Sequence, residues 1–244
     1  MCILVCAYRV YPETPVVIAA NRDEYLSRPS KPPLILASHP RAFGGRDTRS
    51  GGTWFGINEN GVVAAVTNRL PSLPLGRKKT VSRGKLCLHA LAEETAEQGA
   101  SAALAMAQAR PFNGFNLLVL DMRSGWIVEN TGELRTEQMP AGWHIIGNRA
   151  LNDRTDPRVI RALHLLSPGR RGASPEQVLE VMAAACRDHG TAGAADSQDA
   201  LCVHGEEAGT RSSTLLTFGI HGPSFWYADG PPCRFPYVEQ TIPW

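Results

Sequence analysis

The strongest constraint on the fold is the order of the local patterns, which group strands and helices into separate blocks. Short apolar β-type segments lie at the beginning, middle and end of the chain, with two pairs of helical segments between them. Such blocks favour antiparallel sheets with helices packed outside them over a parallel βαβ fold. We therefore expect an α+β protein, and a four-layer α-β-β-α sandwich fits this order. Because no internal repeat or linker divides it, the chain 1–244 is expected to form a single domain.

Alternating or continuous apolar runs locate the strands, and composition with capping residues locates the helices. The segment 26–52 is rich in Pro, Arg, Gly and Ser without a period, so we expect a long loop that forms a lid or binding surface. A hairpin with a type I′ turn is predicted at Asn60-Gly61. Asp156 and Ser174 are predicted helix N-caps. The predicted helices are 83–98, 100–109, 156–166 and 175–188, and the predicted strands are 2–10, 15–20, 54–58, 62–68, 116–122, 126–130, 134–138, 143–148, 213–219, 224–229 and 233–239.

Composition and charge exclude several classes of protein. The formal net charge is +2 and the Lys and Arg residues are scattered, which gives no basic stripe for nucleic acid. No apolar run approaches the ~20 residues of a membrane span, and the N-terminus lacks the features of a signal peptide, so a cytoplasmic protein is expected. The six cysteines are irregularly spaced and the seven histidines are spread singly. Free thiols and no metal site are therefore expected.

Cys2 directly follows Met1, which makes it a candidate nucleophile. Removal of Met1 leaves one residue with a thiol and a free α-amine, whose ordinary pKa values are about 8.5 and 8. Such a residue carries both a nucleophile and its base. The alternative is that Cys2 is a buried residue at the start of a strand, since cysteine is among the most buried residue types.

Several motifs together resemble one known family. They are Met1-Cys2, Asn21-Arg22-Asp23-Glu24, the segment 52–58, the segment 61–69, Gly147-Asn148 and the segment 209–214. This combination resembles the NRDE-domain family, which includes the transport and Golgi organisation protein 2 group, over nearly the whole chain. More distantly, the pattern is similar to the choloylglycine-hydrolase branch of N-terminal nucleophile enzymes. The resemblance implies the same four-layer sandwich.

The resemblance also implies roles for five residues. Cys2 matches the nucleophile, and Asp23 matches the aspartate that orients the α-amine. Asn68 matches an asparagine of the oxyanion hole, and Asn148 matches a second active-site asparagine at a strand end. Arg158 resembles an active-site arginine at a helix start. The alternatives are structural: a local ion pair for Asp23, turn caps for the asparagines and a solvated position for Arg158.

The pattern departs from the hydrolases at the arginine before Asp23. Those enzymes have their arginine three positions before the aspartate, where this chain has Ala20. Arg22 lies two residues later, on the same strand face, and is a candidate to replace it. A thiolate needs nearby positive charge, which either Arg22 or Arg158 supplies.

Two main functional hypotheses follow. The first is an N-terminal cysteine amidohydrolase that cleaves a linear C–N amide of a small molecule through an acyl thioester on Cys2, without a cofactor. The second is a non-catalytic protein that binds and carries haem or a lipid or acyl-CoA ligand on the same fold, although no Cys-Pro haem motif is present. A third hypothesis, a redox pair of Cys2 and Cys6, requires rearrangement because the two lie ~13 Å apart along one strand.

Overall fold

The computed structural model describes residues 2–69, 81–167, 172–191 and 198–244. The chain forms two compact units, of which the first comprises residues Met1–Arg28 and Ala141–Ile242 and the second Pro29–Pro140 and Pro243–Trp244. Each unit contains one antiparallel sheet and two helices. The predicted α+β class is confirmed, and the two sheets and two pairs of helices that a four-layer sandwich requires are present. The single domain remains a prediction.

The described residues form helices and strands in the alternating blocks that the sequence suggests. The helices are α1 (Gly84–Ala90), α2 (Ala96–Ala109), α3 (Pro157–Leu165) and α4 (Pro175–Ala185). Among the described residues, no helix is both long and apolar enough to cross a membrane. The strands are β1 (Ile3–Tyr8), β2 (Val16–Tyr25), β3 (Ser30–Ser38), β4 (Arg41–Asp47), β5 (Phe55–Asn58), β6 (Val63–Asn68), β7 (Phe115–Leu120), β8 (Gly125–Asn130), β9 (Leu134–Gln138), β10 (Gly142–Ile146), β11 (Ala208–Gly219), β12 (Gly222–Ala228) and β13 (Val238–Gln240).

The sheet of the first unit has the strand order β10-β1-β2-β11-β12-β13. Successive residues of a strand point to opposite faces, and the odd-numbered residues of β1 and β2 pack against α3 and α4. Asn21 and Asp23 continue this helix-facing row, whereas Cys2 and Arg22 belong to the even-numbered row on the other face. The sequence thus divides the candidate residues between the two faces of one sheet.

The caps that the sequence predicts for α3 and α4 are confirmed. The Asp156 carboxylate accepts a hydrogen bond from the backbone N–H of Arg158 at 2.9 Å. Ser174 and Gln177 form a reciprocal capping box at the start of α4. Proline occupies the first turn of both helices, where its missing N–H leaves no helical bond unmade. The Asp156 cap therefore fixes Arg158 in the first turn of α3.

The second unit is a seven-stranded meander, in which β3 to β9 pair in the order of the chain. Helices α1 and α2 cover one face of it, and their buried alanines and Leu86 pack against Leu117 and Val119 of β7. Small residues on α2 allow close packing against the sheet. Gly99 lies so near to the sheet and to α1 that an added Cβ would be 3.0 Å from Val119 and 2.9 Å from the carbonyl oxygen of Ala90.

The expected long loop at 26–52 is wrong, because β3 and β4 occupy most of it. The prolines of β3 argue against a strand, but β3 lies at the edge of its sheet, and an edge strand tolerates proline. Gly44 of β4 lies against β5 so closely that a Cβ there would be 2.3 Å from the carbonyl oxygen of Phe55. Gly44, one of the glycines that suggested a loop, therefore serves close strand packing.

Two further local predictions are corrected. The break between α1 and α2 lies before Thr95, which caps α2 through its side chain, so Gly99 is inside the helix. The turn at Asn60-Gly61 is not type I′, because that type needs positive φ at both residues and only Gly61 has it, at 83°. The amide of Gly61 instead donates to the carbonyl of Asn58 at 3.0 Å.

Candidate active site

Cys2 is half-buried immediately before β1. Its thiol donates a long hydrogen bond of 3.8 Å to the backbone carbonyl of Asp23. The pairing of Ile3 with Asn21 places Cys2 next to Arg22 when the β1–β2 register is continued. Burial raises the pKa of the Cys2 thiol, the charge of Asp23 adds to this, and the charge of Arg22 opposes it. Burial is the largest of these effects and disfavours the thiolate form of Cys2.

The Asp23 carboxylate lies on the opposite, helix-facing side of the sheet and is bonded at both oxygens. Oδ2 accepts from Nη2 of Arg158 at 2.8 Å, and Oδ1 accepts from the hydroxyl of Thr210 at 2.7 Å. The side chains of Arg158 and Asp23 are only 6% and 4% exposed. A buried carboxylate is tolerable only when it is paired and hydrogen-bonded, which this one is.

Arg158 connects three parts of the first unit. Besides Asp23 on β2, it bonds the backbone carbonyls of Ala200, through Nε at 2.9 Å, and Leu201, through Nη2 at 3.2 Å. The side-chain amide of Asn21 also donates to the carbonyl of Leu201, at 2.8 Å. The segment 200–201 is thereby bound to both α3 and β2. Because Arg158 is buried, the alternative of a solvated position is wrong.

Arg22 is buried on the other face, beside β11. It pairs with Ser212, and its charge lowers the pKa of Cys2 and that of Tyr227, although burial raises both overall. The sequence left open which arginine accompanies the thiol. In the structure the charge of Arg22 acts on Cys2, while the Arg158 guanidinium pairs with Asp23.

The two asparagines both lie at strand ends, as the sequence suggests. Asn148 is buried two residues beyond β10, and since Leu4 pairs with Ile146, continuing that register brings Asn148 level with Cys2. Asn68 is the last residue of β6 in the second unit, opposite Phe115. The oxyanion roles of Asn68 and Asn148 remain predictions.

The sequence alone suggests no role for Thr210 or Ser212, although both lie in the 209–214 motif. Between them β11 has a register shift, so that Thr210 pairs with Asp23 and Ser212 with Arg22. A β-bulge inserts one extra residue, and the two side chains consequently reach neighbours on opposite faces of the sheet. A single sequence has no signal for such a bulge.

A second cluster of reactive side chains lies elsewhere in the first unit. His189, Cys202, His204 and Cys233 place one potential ligand atom each within 4.8 Å of all the others. These residues are scattered along the chain, which is why their spacing argued against a metal site. All six cysteines are free thiols in the structure.

The chain matches curated relatives over less than half of their length. The human Transport and Golgi organization protein 2 homolog is 35% identical over 111 residues, which cover 44% of this chain and 39% of the human protein. The mouse Transport and Golgi organization 2 homolog is 32% identical over 112 residues, with the same two coverages. These relatives alone therefore do not establish what the chain does.

Two solved structures resemble the chain over most of its length. Penicillin V acylase from Agrobacterium tumefaciens has 13% identity and a TM-score of 0.47, with 94% of this chain and 86% of that one covered. A mutant of conjugated bile acid hydrolase from Clostridium perfringens has 10% identity and a TM-score of 0.48, with 99% and 97% covered. Similarity at this level says nothing about activity.

The motif resemblance is confirmed by a match over most of the chain. The profile of the family described as Transport and Golgi organisation 2 matches residues 1–226, which include Cys2, both asparagines, Asp23 and Arg158. The chain therefore belongs to the Transport and Golgi organisation 2 family.

Proposed function

We propose that this chain is an N-terminal cysteine amidohydrolase that cleaves a linear C–N amide through an acyl thioester on Cys2. One observation carries the proposal. Cys2 lies level with Arg22 when the β1–β2 register is continued, and the next residue, Asp23, is held by Arg158 and Thr210. Arg22 and Asp23, adjacent residues of β2, therefore place their side chains on opposite faces of the sheet beside the start of β1.

The raised pKa of Cys2 decides which base the reaction needs. A standing thiolate is disfavoured by burial, so the proton must leave during the attack. A free α-amine on Cys2 itself, with an ordinary pKa near ~8, is the base that lies nearest to the thiol. The proposal therefore requires that Met1 be removed, so that Cys2 becomes the first residue.

The reaction then has two balanced halves. The thiol proton passes to the α-amine, the sulfur bonds to the amide carbon, and the resulting ammonium protonates the leaving nitrogen as the C–N bond breaks. Water next attacks the thioester, the α-amine takes its proton, and the carboxylic acid leaves as the thiol is restored. This cycle needs no oxidant, metal or cofactor.

The proposed roles of the other residues differ in kind. Arg22 stabilises the developing thiolate, and the side-chain amide of Asn148 donates a hydrogen bond to the oxyanion. Asn68 is the second oxyanion donor predicted from the sequence. Asp23 and Arg158 act by positioning, since their charges neutralise each other on the helix side of the sheet.

The test is amine release from a panel of N-acyl amides that differ in acyl length and in leaving amine. We expect Cys2→Ala to lower kcat at least about 10³-fold and Asn148→Leu to lower it about 10²-fold to 10³-fold. Cys6→Ala, which removes a fully buried thiol from β1, is the matched control and keeps activity.

Amide hydrolysis that survives Cys2→Ala contradicts the proposal, as does a chain that hydrolyses none of the panel after Met1 removal. In the second case, haem or acyl-CoA binding that is unchanged by Cys2→Ala supports the carrier hypothesis instead.

A further inference from the structure

We propose that His189, Cys202, His204 and Cys233 form a mononuclear zinc site that is separate from Cys2. The Sγ atoms of Cys202 and Cys233 are 3.6 Å apart. Nε2 of His204 lies 3.1 Å from Sγ of Cys233 and 3.7 Å from Sγ of Cys202. The ring centroids of His189 and His204 are 5.1 Å apart, so the fourth ligand lies beside the other three. Two thiols and two imidazoles are a donor set that zinc prefers.

The spacing of the donors matches a tetrahedron around one ion. With Zn–S near ~2.3 Å and Zn–N near ~2.1 Å, tetrahedral angles place two sulfurs ~3.8 Å apart and a sulfur and a nitrogen ~3.6 Å apart. The observed separations of 3.6, 3.7 and 3.1 Å lie close to these edges. The potential ligand atom of His189 lies within 4.8 Å of the other three.

Two other uses of the same residues fit less well. A disulfide requires the sulfurs of Cys202 and Cys233 to approach to about 2.05 Å, and it would leave both histidines without a role. A Rieske iron–sulfur centre binds two cysteines to one iron and two histidines to the other. The 3.1 Å contact of His204 with Cys233 joins donors that such a centre would hold on different irons.

The ion has an entry path. A cavity of about 490 Å³ opens beside the cluster and is lined in part by His204, Arg234 and Phe235. Cys202 itself is fully buried, whereas the other three residues are partly exposed. A bound ion would therefore be accessible to a chelator from one side and covered on the other.

The position of the cluster indicates what the ion does. Cys202 follows the two carbonyls, of Ala200 and Leu201, that bind Arg158. The amides of Leu201 and Cys202 both donate to the carbonyl of Asp188, the residue before His189. Zinc would tie this segment to Cys233, after β12, and so fix the carbonyls that hold Arg158 in place. The site is structural in this role, and it stands whether or not Cys2 is a nucleophile.

The test begins with the metal content of the full chain, purified under reducing conditions without a chelator. We expect about one zinc per chain, a fall of at least about tenfold in affinity for Cys233→Ser and for His189→Gln, and no change for Cys87→Ser. Cys87 is a buried thiol of the second unit and is the matched control. Circular dichroism verifies that each variant is folded.

A second measurement uses the wild-type chain alone, in case the variants unfold. Zinc is removed with a chelator and replaced by Co²⁺, whose visible spectrum reports coordination. Intense tetrahedral d–d bands with a thiolate charge-transfer band support the site. A pale six-coordinate spectrum, iron–sulfur absorption, or zinc content equal in wild type and Cys233→Ser overturns it.

Discussion

Replacing Arg158 by alanine is expected to destabilise the protein far more than replacing Arg161, its neighbour on α3. Arg158→Ala removes the charged partner of the Asp23 carboxylate, whose side chain is only 4% exposed. The hydroxyl of Thr210 still donates to Oδ1 of Asp23 in this variant. It also removes the donors to the carbonyls of Ala200 and Leu201. Loss of one partner of a buried ion pair lowers the free energy of unfolding by about 3–5 kcal/mol.

Arg161 is the matched control because it also pairs with an aspartate. It contacts both oxygens of Asp188, at 2.9 and 2.7 Å, but the two side chains are 24% and 16% exposed. Water and salt screen this pair, so Arg161→Ala is expected to lower the free energy of unfolding by about 0.2–1 kcal/mol. Both variants remove an ion pair with an aspartate, but only Arg158→Ala removes a buried pair and its bonds to two backbone carbonyls.

Urea denaturation followed by circular dichroism measures both variants. The double variant Asp23→Ala/Arg158→Ala should lose less than the sum of the two single variants, because neither charge is then left alone. Arg158→Lys should fall between wild type and Arg158→Ala, since lysine keeps the charge but not the planar fork. Equal losses for Arg158→Ala and Arg161→Ala, or strict additivity in the double variant, would refute the argument.

Three further predictions concern stability and are measured by urea denaturation. Burial raises the pKa of Cys186 from 9.0 to about 11, so as the pH rises the unfolded chain loses this proton before the folded chain does. Between those two pH values the free energy of unfolding should therefore fall by up to about 1.4 kcal/mol per pH unit. Cys186→Ala should remove this contribution to the pH dependence. Thr210→Val should lower the free energy of unfolding by about 1.5–3 kcal/mol, because it removes a donor to a buried charge, and a loss under about 0.5 kcal/mol contradicts this. Gly99→Ala should lower the free energy of unfolding by about 1–3 kcal/mol, because the added Cβ would collide with the carbonyl oxygen of Ala90. An increase of about 1 kcal/mol would instead show that the higher helix propensity of alanine outweighs the collision.

The sequence predicts the parts of the fold that rest on local chemistry. The caps at Asp156 and Ser174 can be predicted because an Asp or Ser followed by proline is a typical start of a helix, where the side chain accepts a hydrogen bond from a free backbone N–H. The hairpin of β1 and β2 follows from two apolar runs and a polar turn. The same local rules fail for β3, where edge position permits prolines that would break a central strand.

The contacts within the candidate site depend on long-range pairing that one sequence does not contain. Asp23 and Arg158 are 135 residues apart, and only the packing of α3 on the sheet brings them into contact. The two faces of β2 could be read from alternation, which separates Arg22 from Asp23. The Thr210 contact needs the bulge in β11, and the approach of Cys233 to Cys202 needs the path of the chain after β12.

The most direct test of the account is to identify which atom of the protein is acylated. Purified wild type is incubated with an electrophilic amide, and intact mass with peptide mapping is compared for wild type, Cys2→Ala and the control Cys6→Ala. We predict loss of Met1 and a single acyl adduct on Cys2, absent from Cys2→Ala and retained in Cys6→Ala. A retained Met1, or labelling spread over other cysteines with Cys2 unreactive, would contradict a nucleophilic Cys2.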